Sequence, residues 1–433
     1  MSQPLDPHAA VVTAASGAPV TAPLTTADGQ PLSRALARAS RKARLRALLL
    51  VAPLLAFVLI TFIVPIGQML HRSVHNPGFA ANMPQVSAWF EEHPAGTEPD
   101  ETAFAALAAD LKSSADARTI GIVGTRINYD MPGTRSLFTA TGRAARAGFE
   151  PPYREALLAE NAQWGQPELW RVMRAASTPY TDSFYLASVD RTRDLDGNIV
   201  QVAPQQRVYV KLLINTLWLS GLITGLTFLL GFPVAYLLAT LPMRHSNLLM
   251  ILVLLPFWTS LLVRTTSWIV LLQNEGVVNG LLLWLGALGP GQRLAMMHNQ
   301  VGTIVAMTHV LLPFMILPLY SVMRTINPSY VRAARSLGAT SWTAFRRIYF
   351  PQTLPGLAAG ALLVFILAIG YYITPALVGG ASGQLFSNMI EMHMNRLLNW
   401  SMGAALASIL LAVVLVLYWV YDRMVGIDKL KLG

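Results

Sequence analysis

The sequence predicts an all-α membrane protein of six spanning helices, with a polar domain of α+β character inserted after the first. Three observations lead there. Of the 433 residues, 54% are hydrophobic and only 12% charged, where a soluble domain carries about 25% charged residues. Six apolar runs, at roughly 47–69, 209–240, 247–272, 300–324, 355–379 and 402–421, each reach the length that a bilayer demands of a helix. The charges are also segregated. Residues 70–206 hold 16 of the 22 acidic residues but only 12 of the 32 basic ones, so the net charge of +10 comes from positions mostly beside the apolar runs. That distribution is a signal of topology and not a nucleic-acid-binding patch.

Residues 1–32 are rich in Ala, Thr, Pro and Ser without apolar periodicity, and read as a disordered tail. SRALARASRKARLR (33–46) is a basic membrane-surface helix, so 1–46 forms a cytoplasmic N-terminal region. The first run, 47–69, is too long for a signal-peptide core and is followed by no small-residue cleavage site, so it stays as an anchor. The inserted domain, 70–206, then lies outside. FAALAADLKSSADA and YREALLAENAQW have helical spacing, while NIVQVAPQQRVYV alternates like a strand. There is no cysteine, so packing alone must hold the domain. It contains no phosphate loop, paired-carboxylate site or zinc motif; His71 and His75 have i, i+4 spacing but no Glu or Cys partner. The remainder, 207–433, supplies five spans. Alternate counting places 273–299 and 380–401 outside, and 243–246, the 325–354 segment and the C-terminus with Lys429 and Lys431 inside.

Several features interrupt these runs. Gly221 and Gly225 form a G-x-x-x-G in the second, and Gly356 and Gly360 another in the fifth; both read as helix-packing faces. Pro233, Pro256, Pro313, Pro318 and Pro375 lie inside apolar runs, which a bilayer tolerates where a helix lines a cavity or leans on neighbours. The third run carries Trp258, Thr259, Ser260, Arg264 and Trp268. Arg264 is the one charge well inside a span, where a charge costs about 2.5–3.5 kcal/mol on insertion scales. It either snorkels toward the outer boundary or faces a polar pathway. At the end of the fifth run Tyr371, Tyr372, Thr374 and Pro375 (GYYITPALVGG) offer either interfacial aromatics or a gate.

NPSYVRAARSLGATSWTAFRRIYFP (327–351) is an elbow between two spans. Asn327 caps a helix opening with Pro328, on which Tyr330, Ala333, Ala334 and Leu337 share one face and Arg332 and Arg335 the other. Gly338 ends it in the left-handed region, and a second helix carrying Trp342, Phe345 and Ile348 is expected to stop at Pro351. Its four arginines and absence of acids place it on the cytoplasmic side. The spacing Ala333-Ala334, Gly338, Ile348, Pro351 resembles the EAA loop of binding-protein-dependent ABC importer permeases, with Arg332 in the Glu position and Phe350 in the Leu position. The PFWTS-x-x-x-R run, GVVN, LLPFMILPLY and TPALVGG are similar to the permeases of the spermidine/putrescine-type importers. The likeness covers nearly all of 209–421 and the first span, but not 1–45 or most of 70–206.

This resemblance implies a six-helix type I ABC importer transmembrane domain of the bacterial inner membrane, with an α+β periplasmic insertion and cytoplasmic termini. It implies that Tyr330, Arg332, Ala333, Ala334, Leu337, Gly338, Ile348 and Pro351 couple to an ATPase. Trp258, Thr259, Ser260, Arg264, Trp268, Tyr371, Tyr372, Thr374 and Pro375 would line the substrate path. The implied partners are an ABC ATPase dimer, a second permease and a periplasmic substrate-binding protein, with no nucleic acid and no metal. The chain has no G-x-x-x-x-G-K-[ST], so ATP and Mg2+ would sit on the partner ATPase and the chain itself would catalyse nothing. The solute expected is a polyamine such as putrescine or spermidine, with an anionic or zwitterionic solute as the alternative. A secondary transporter would need carboxylates inside the spans, but Glu275, Glu391 and Asp422 lie at or beyond span ends. A membrane-anchored enzyme would need a catalytic constellation in 70–206, where none is recognisable.

Overall fold

The computed structural model describes residues 32–425, apart from 95, 195 and 196. The expected disordered tail up to residue 31, together with Lys429 and Lys431, lies outside the described residues. The described residues divide into two compact units, 32–68 and 69–425.

In the first unit the basic stretch and the first apolar run form one rod. A helix, Leu32–Val58, passes through a π-turn, Leu59–Ile63, into Val64–Val74, which continues across the unit boundary. The π-turn has a local cause. Pro65 has no N–H and its ring would press on the carbonyl four residues back, so the turn before it widens and Val64 N–H bonds to the Leu59 carbonyl.

In the second unit the insertion is a helical domain with its own core. Helices Pro84–Glu92, Glu101–Asp116, Ile120–Asp130, Thr134–Ala145, Tyr153–Glu160 and Pro167–Ala176 enclose Phe79, Phe104, Leu107, Phe138, Trp164 and Trp170. Edge-to-face pairs Phe104–Trp170 and Phe138–Trp164, with ring centroids 5.1 and 5.0 Å apart, fix the packing that cysteines do not. The Asp100 carboxylate caps the Glu101–Asp116 helix by accepting from Ala103 N–H at 3.0 Å. Buried Asp110 reaches across to accept from Val86 N–H at 2.9 Å, in the first turn of Pro84–Glu92. Burial pushes the Asp110 carboxyl up to about 6.

The expected α+β character shrinks to one antiparallel ribbon, Arg191–Arg193 with Ile199–Gln201. The alternation in NIVQVAPQQRVYV does not extend the strand, because Pro204 cannot donate to a ladder and opens a 3-10 turn. The last residues of that stretch start the long helix Tyr209–Thr240 instead. His71 and His75 lie 4.5 Å apart between ring centroids in a tilted arrangement, with Tyr180 5.0 Å from His75, and among the described residues no acid or thiol completes a metal-binding group.

The spans correspond to Tyr209–Thr240, a broken pair Met243–Trp258 and Leu261–Leu272, Gln300–Thr325, Ser341–Gly370 and Trp400–Arg423. Hydrogen bonds at both ends give their directions. Gln300 Nε2 donates to Asn215 Oδ1 at 3.0 Å near the start of two spans, and Arg324 reaches the Ala239 carbonyl near their finish. Those two helices therefore run parallel, and the broken pair between them must cross back as one full span. The insertion and the elbow accordingly lie at opposite ends of the Tyr209–Thr240 helix. Leu219, Ile223, Met307, Leu311, Met315 and Val364 form the core between these spans.

Three expectations change here. The third run is not one helix: Pro256 interrupts it and the two pieces meet at 99°. The elbow's second helix does not stop at Pro351; it runs from Ser341 through a π-turn, Phe345–Tyr349, into Phe350–Gly370. The device of Pro65 is repeated, with Phe350 N–H bonding to the Phe345 carbonyl just ahead of the proline. Of the two G-x-x-x-G pairs only the fifth span's packs within the chain. A Cβ on Gly356 would lie 2.8 Å from the Pro318 carbonyl oxygen and one on Gly360 2.9 Å from Met315 Sδ, whereas Gly221 and Gly225 have open space beside them.

Candidate functional site

The elbow is built from a helix, Ser329–Ser336, a left-handed glycine and a second helix. Asn327 Oδ1 accepts from Ser329 N–H at 2.9 Å, which secures the first turn. Gly338 takes φ +90°, and its N–H and that of Ala339 close back on Arg335 and Ala334 carbonyls, the Schellman arrangement that uses orphan acceptors at a helix end. Thr340 then caps the next helix through Thr343 N–H. The face that packs on the bundle adds a residue not singled out in the sequence. Val331 and Ala334 are half-buried, and Val331 packs on the bundle core. Tyr330, Leu337 and Trp342 are left 54%, 89% and 68% exposed, and Arg332 and Ala333 are exposed with them. Ile348 is half-buried and Pro351 exposed. Behind this face Trp342, Phe345 and Tyr349 stack in series, and Phe345 meets Phe232 of the Tyr209–Thr240 helix edge-on at 6.0 Å.

The second site lies where two spans lose their helical ladder. At the bend Ser260 Oγ accepts from Val263 N–H at 3.1 Å and starts the Leu261–Leu272 helix, while Thr259 Oγ1 donates to the Pro256 carbonyl. Trp258 stands 76% exposed beside them. The fifth span breaks at Tyr371 and Tyr372 before a short helix, Ile373–Val378, that buries Thr374 and Pro375. Backbone freed inside a membrane needs new partners. Ser387 Oγ donates to the Tyr371 carbonyl at 2.6 Å, and Asn388 Nδ2 to the Tyr372 carbonyl at 2.8 Å.

The two breaks are joined by Thr265 and Thr374, whose buried hydroxyls are 3.2 Å apart. Half-buried Arg264 has an Nε without a partner and lies within electrostatic range of His309 and Tyr371. Trp268 Nε1 donates to His309 Nδ1 at 3.1 Å. Because an indole can only donate, that bond requires a neutral His309 with its proton on Nε2. The structure thus gathers Arg264, Trp268, Tyr371 and Thr374 into one polar cluster, and leaves Trp258, Thr259, Ser260 and Tyr372 at its exposed margins. His309 was missed in the sequence. The signal was present, since an imidazole in the middle of the apolar run 300–324 is itself a marker of function.

The comparisons with known proteins bear on both places. Residues 218–426 match the model of the family described as the binding-protein-dependent transport system inner membrane component. The spermidine/putrescine transport system permease protein PotB of Escherichia coli strain K12 is 35% identical over 222 residues, 51% of this chain and 80% of that protein. The chain belongs to the binding-protein-dependent inner-membrane permeases. Among related permeases, PotB of Haemophilus influenzae is 35% identical over 50% of this chain and 75% of its own length. The inner membrane ABC transporter permease protein YdcU of Escherichia coli is 29% identical over 50% and 71%. A solved bacterial ABC transporter involved in importing the acidic polysaccharide alginate aligns with TM-score 0.42 and 22% identity, over 52% of this chain and 80% of that one. The permease match takes in the elbow and both helix breaks, while the insertion at 70–206 lies outside it.

Proposed function

We propose that this permease is the membrane path of an ATP-driven importer, through which a small solute passes after delivery by a periplasmic binding protein. The insertion, 273–299 and 380–401 face the periplasm, and the elbow and both termini face the cytoplasm. The observation that carries this reading is the elbow: a solvent-facing apolar tip, held by a left-handed glycine, at the end of the bundle opposite the insertion. Residues Tyr330, Arg332, Ala333, Leu337 and Gly338 meet a groove of an ATPase dimer, which holds the ATP and Mg2+. A second permease completes the path. Closure of the ATPases shifts the elbow, and the shift reaches the bundle through Phe345 and Phe232. Such coupling requires that the two states of the ATPase differ in contact free energy with the elbow.

The solute is a polyamine-like cation, in keeping with the naming of the PotB relatives. Trp258, Trp268, Tyr371 and Tyr372 provide aromatic faces for it along the path. A second reading, a zwitterionic or anionic solute, is favoured by Arg264, which has an unpartnered Nε and forms no ion pair among the described residues. Purification of the tagged permease should bring an ATPase with it; its absence would refute the importer. Calorimetric titration of the cognate binding protein with putrescine, spermidine, amino acids and organic anions decides the solute. Heat with the polyamines alone supports the first reading. Tight binding of an anion, with none of the amines, replaces it with the second and makes Arg264 the first residue to mutate.

A further inference from the structure

The four arginines of the elbow are not explained by coupling alone. Arg332, Arg335, Arg346 and Arg347 are all exposed, and none of their guanidiniums has a hydrogen-bond or ion-pair partner among the described residues. Arg118, Arg135 and Arg244 are likewise exposed and without a side-chain partner among the described residues, but none of them flanks an exposed leucine–tryptophan pair such as Leu337 and Trp342, and other arginines are held in place. Arg126, Arg171, Arg193, Arg293 and Arg396 each pair with a carboxylate. Arg324, at the same end of the bundle as the elbow, ties back to the Ala239 carbonyl and Met243 Sδ. A general preference for positive charge on the cytoplasmic side is met by any exposed arginine. It does not call for Leu337 and Trp342 standing 89% and 68% exposed among the arginines. Exposed apolar anchors ringed by unpaired charges of one sign are the composition of one half of a complementary interface.

We propose that the surface receiving this elbow is an apolar groove rimmed by carboxylates, one of which pairs with Arg332. This rests on the importer reading above for the identity of the partner as the ATPase subunit. The polarity is the reverse of what a glutamate at position 332 would demand. A guanidinium that loses water on docking is compatible only with a partner that supplies acceptors, since an unpaired buried charge would oppose the contact. Leu337 and Trp342 enter the groove, and Arg332, Arg335, Arg346 and Arg347 fix its register and exclude ATPases whose groove is basic at the rim.

The test uses the full complex purified through a tag on the permease in neutral detergent, with the ATPase retained per permease as the readout. Wild type and Arg332→Lys should hold the ATPase in low salt and release it in high salt. Arg332→Ala should hold it more weakly, and Arg332→Glu should weaken association by about tenfold or more, as like charges meet. A Lys substitution of the facing groove carboxylate should restore the Glu variant. Monodisperse elution of each permease variant guards against misfolding. If Arg332→Glu retains the ATPase as wild type does, in both salts, the carboxylate rim is refuted while the importer stands. If wild type brings down no ATPase, the importer reading itself falls. If Arg332→Glu keeps the ATPase but loses affinity for phosphatidylglycerol vesicles, the arginines serve lipid headgroups and the proposal is overturned.

Discussion

Replacement of Gly338 by valine separates backbone strain from steric crowding. A Cβ at this position would meet nothing within 4 Å, so the cost comes from φ +90° alone. For an L-residue in the left-handed region that cost is about 1–2 kcal/mol, and a β-branched side chain raises it toward about 3 kcal/mol. The strain can be relieved by unwinding the turn, at the loss of the Gly338-to-Arg335 and Ala339-to-Ala334 hydrogen bonds at 3.0 and 3.1 Å. Either way the Ser329–Ser336 helix changes direction relative to the one after it. The turn is exposed and no packing is lost there, so the melting temperature of the permease should fall by no more than a few degrees. Solute uptake and substrate-stimulated ATP hydrolysis, measured on the complex in proteoliposomes, should fail together. Gly338→Asn should be the mildest replacement, since asparagine tolerates this region best. A Gly338→Val complex that transports normally would show that 327–351 is not the point of transmission.

Other outcomes follow from single residues. Asp110 has a folded-state pKa of about 6, above its ordinary value of 3.8, so the folded insertion holds that proton more tightly than the unfolded chain. Its contribution is greatest below the ordinary value and is lost as pH rises through 6; Asp110→Asn should flatten that slope in thermal unfolding and stabilise the protein near neutral pH, by on the order of 2 kcal/mol. Gly356→Ala should lower the melting temperature, because its Cβ would meet the Pro318 carbonyl at 2.8 Å, whereas Gly221→Ala, with open space, should not. With no native cysteine, Ser113→Cys and Ser341→Cys report topology directly, both positions being exposed. A membrane-impermeant reagent on intact cells should label only Ser113→Cys, and labelling of Ser341→Cys would overturn the orientation proposed.

The number of spans and their order were legible because bilayer thickness imposes a minimum apolar length, and composition alone reports that. Gly338 was legible for a similar reason, since few residues other than glycine accept its φ. What escaped was set by contacts remote in sequence. The inward face of the elbow depends on where Val331 finds the bundle core, which no local periodicity encodes. The break at Tyr371 is stabilised by Ser387 and Asn388, sixteen positions further on in each case, and neither stands out on its own. His309 was overlooked within the fourth run, and only its bond from Trp268 gives it a protonation state. Proline was half-legible: Pro256 breaks its helix, while Pro65 and Pro351 are absorbed by a wider turn.

Near the end of the insertion Asp190 is buried and at φ +56°, with a carboxylate that accepts from the backbone N–H groups of Val208, Tyr209 and Val210 at 2.9–3.0 Å. Just before it, Phe184 is packed among Met402, Leu406 and Phe386, and the Tyr185 hydroxyl lies 2.8 Å from both Ser73 and Ser408. The domain is therefore welded to the heads of the second and sixth spans and not hung from them by a linker. In mechanical terms it is an outboard lever. A few degrees of tilt in those two helices would become a sweep that grows with distance from Asp190, so the domain's far surface would register any movement of the bundle at its largest. A protein docked on that surface would feel the state of the transporter without touching the path.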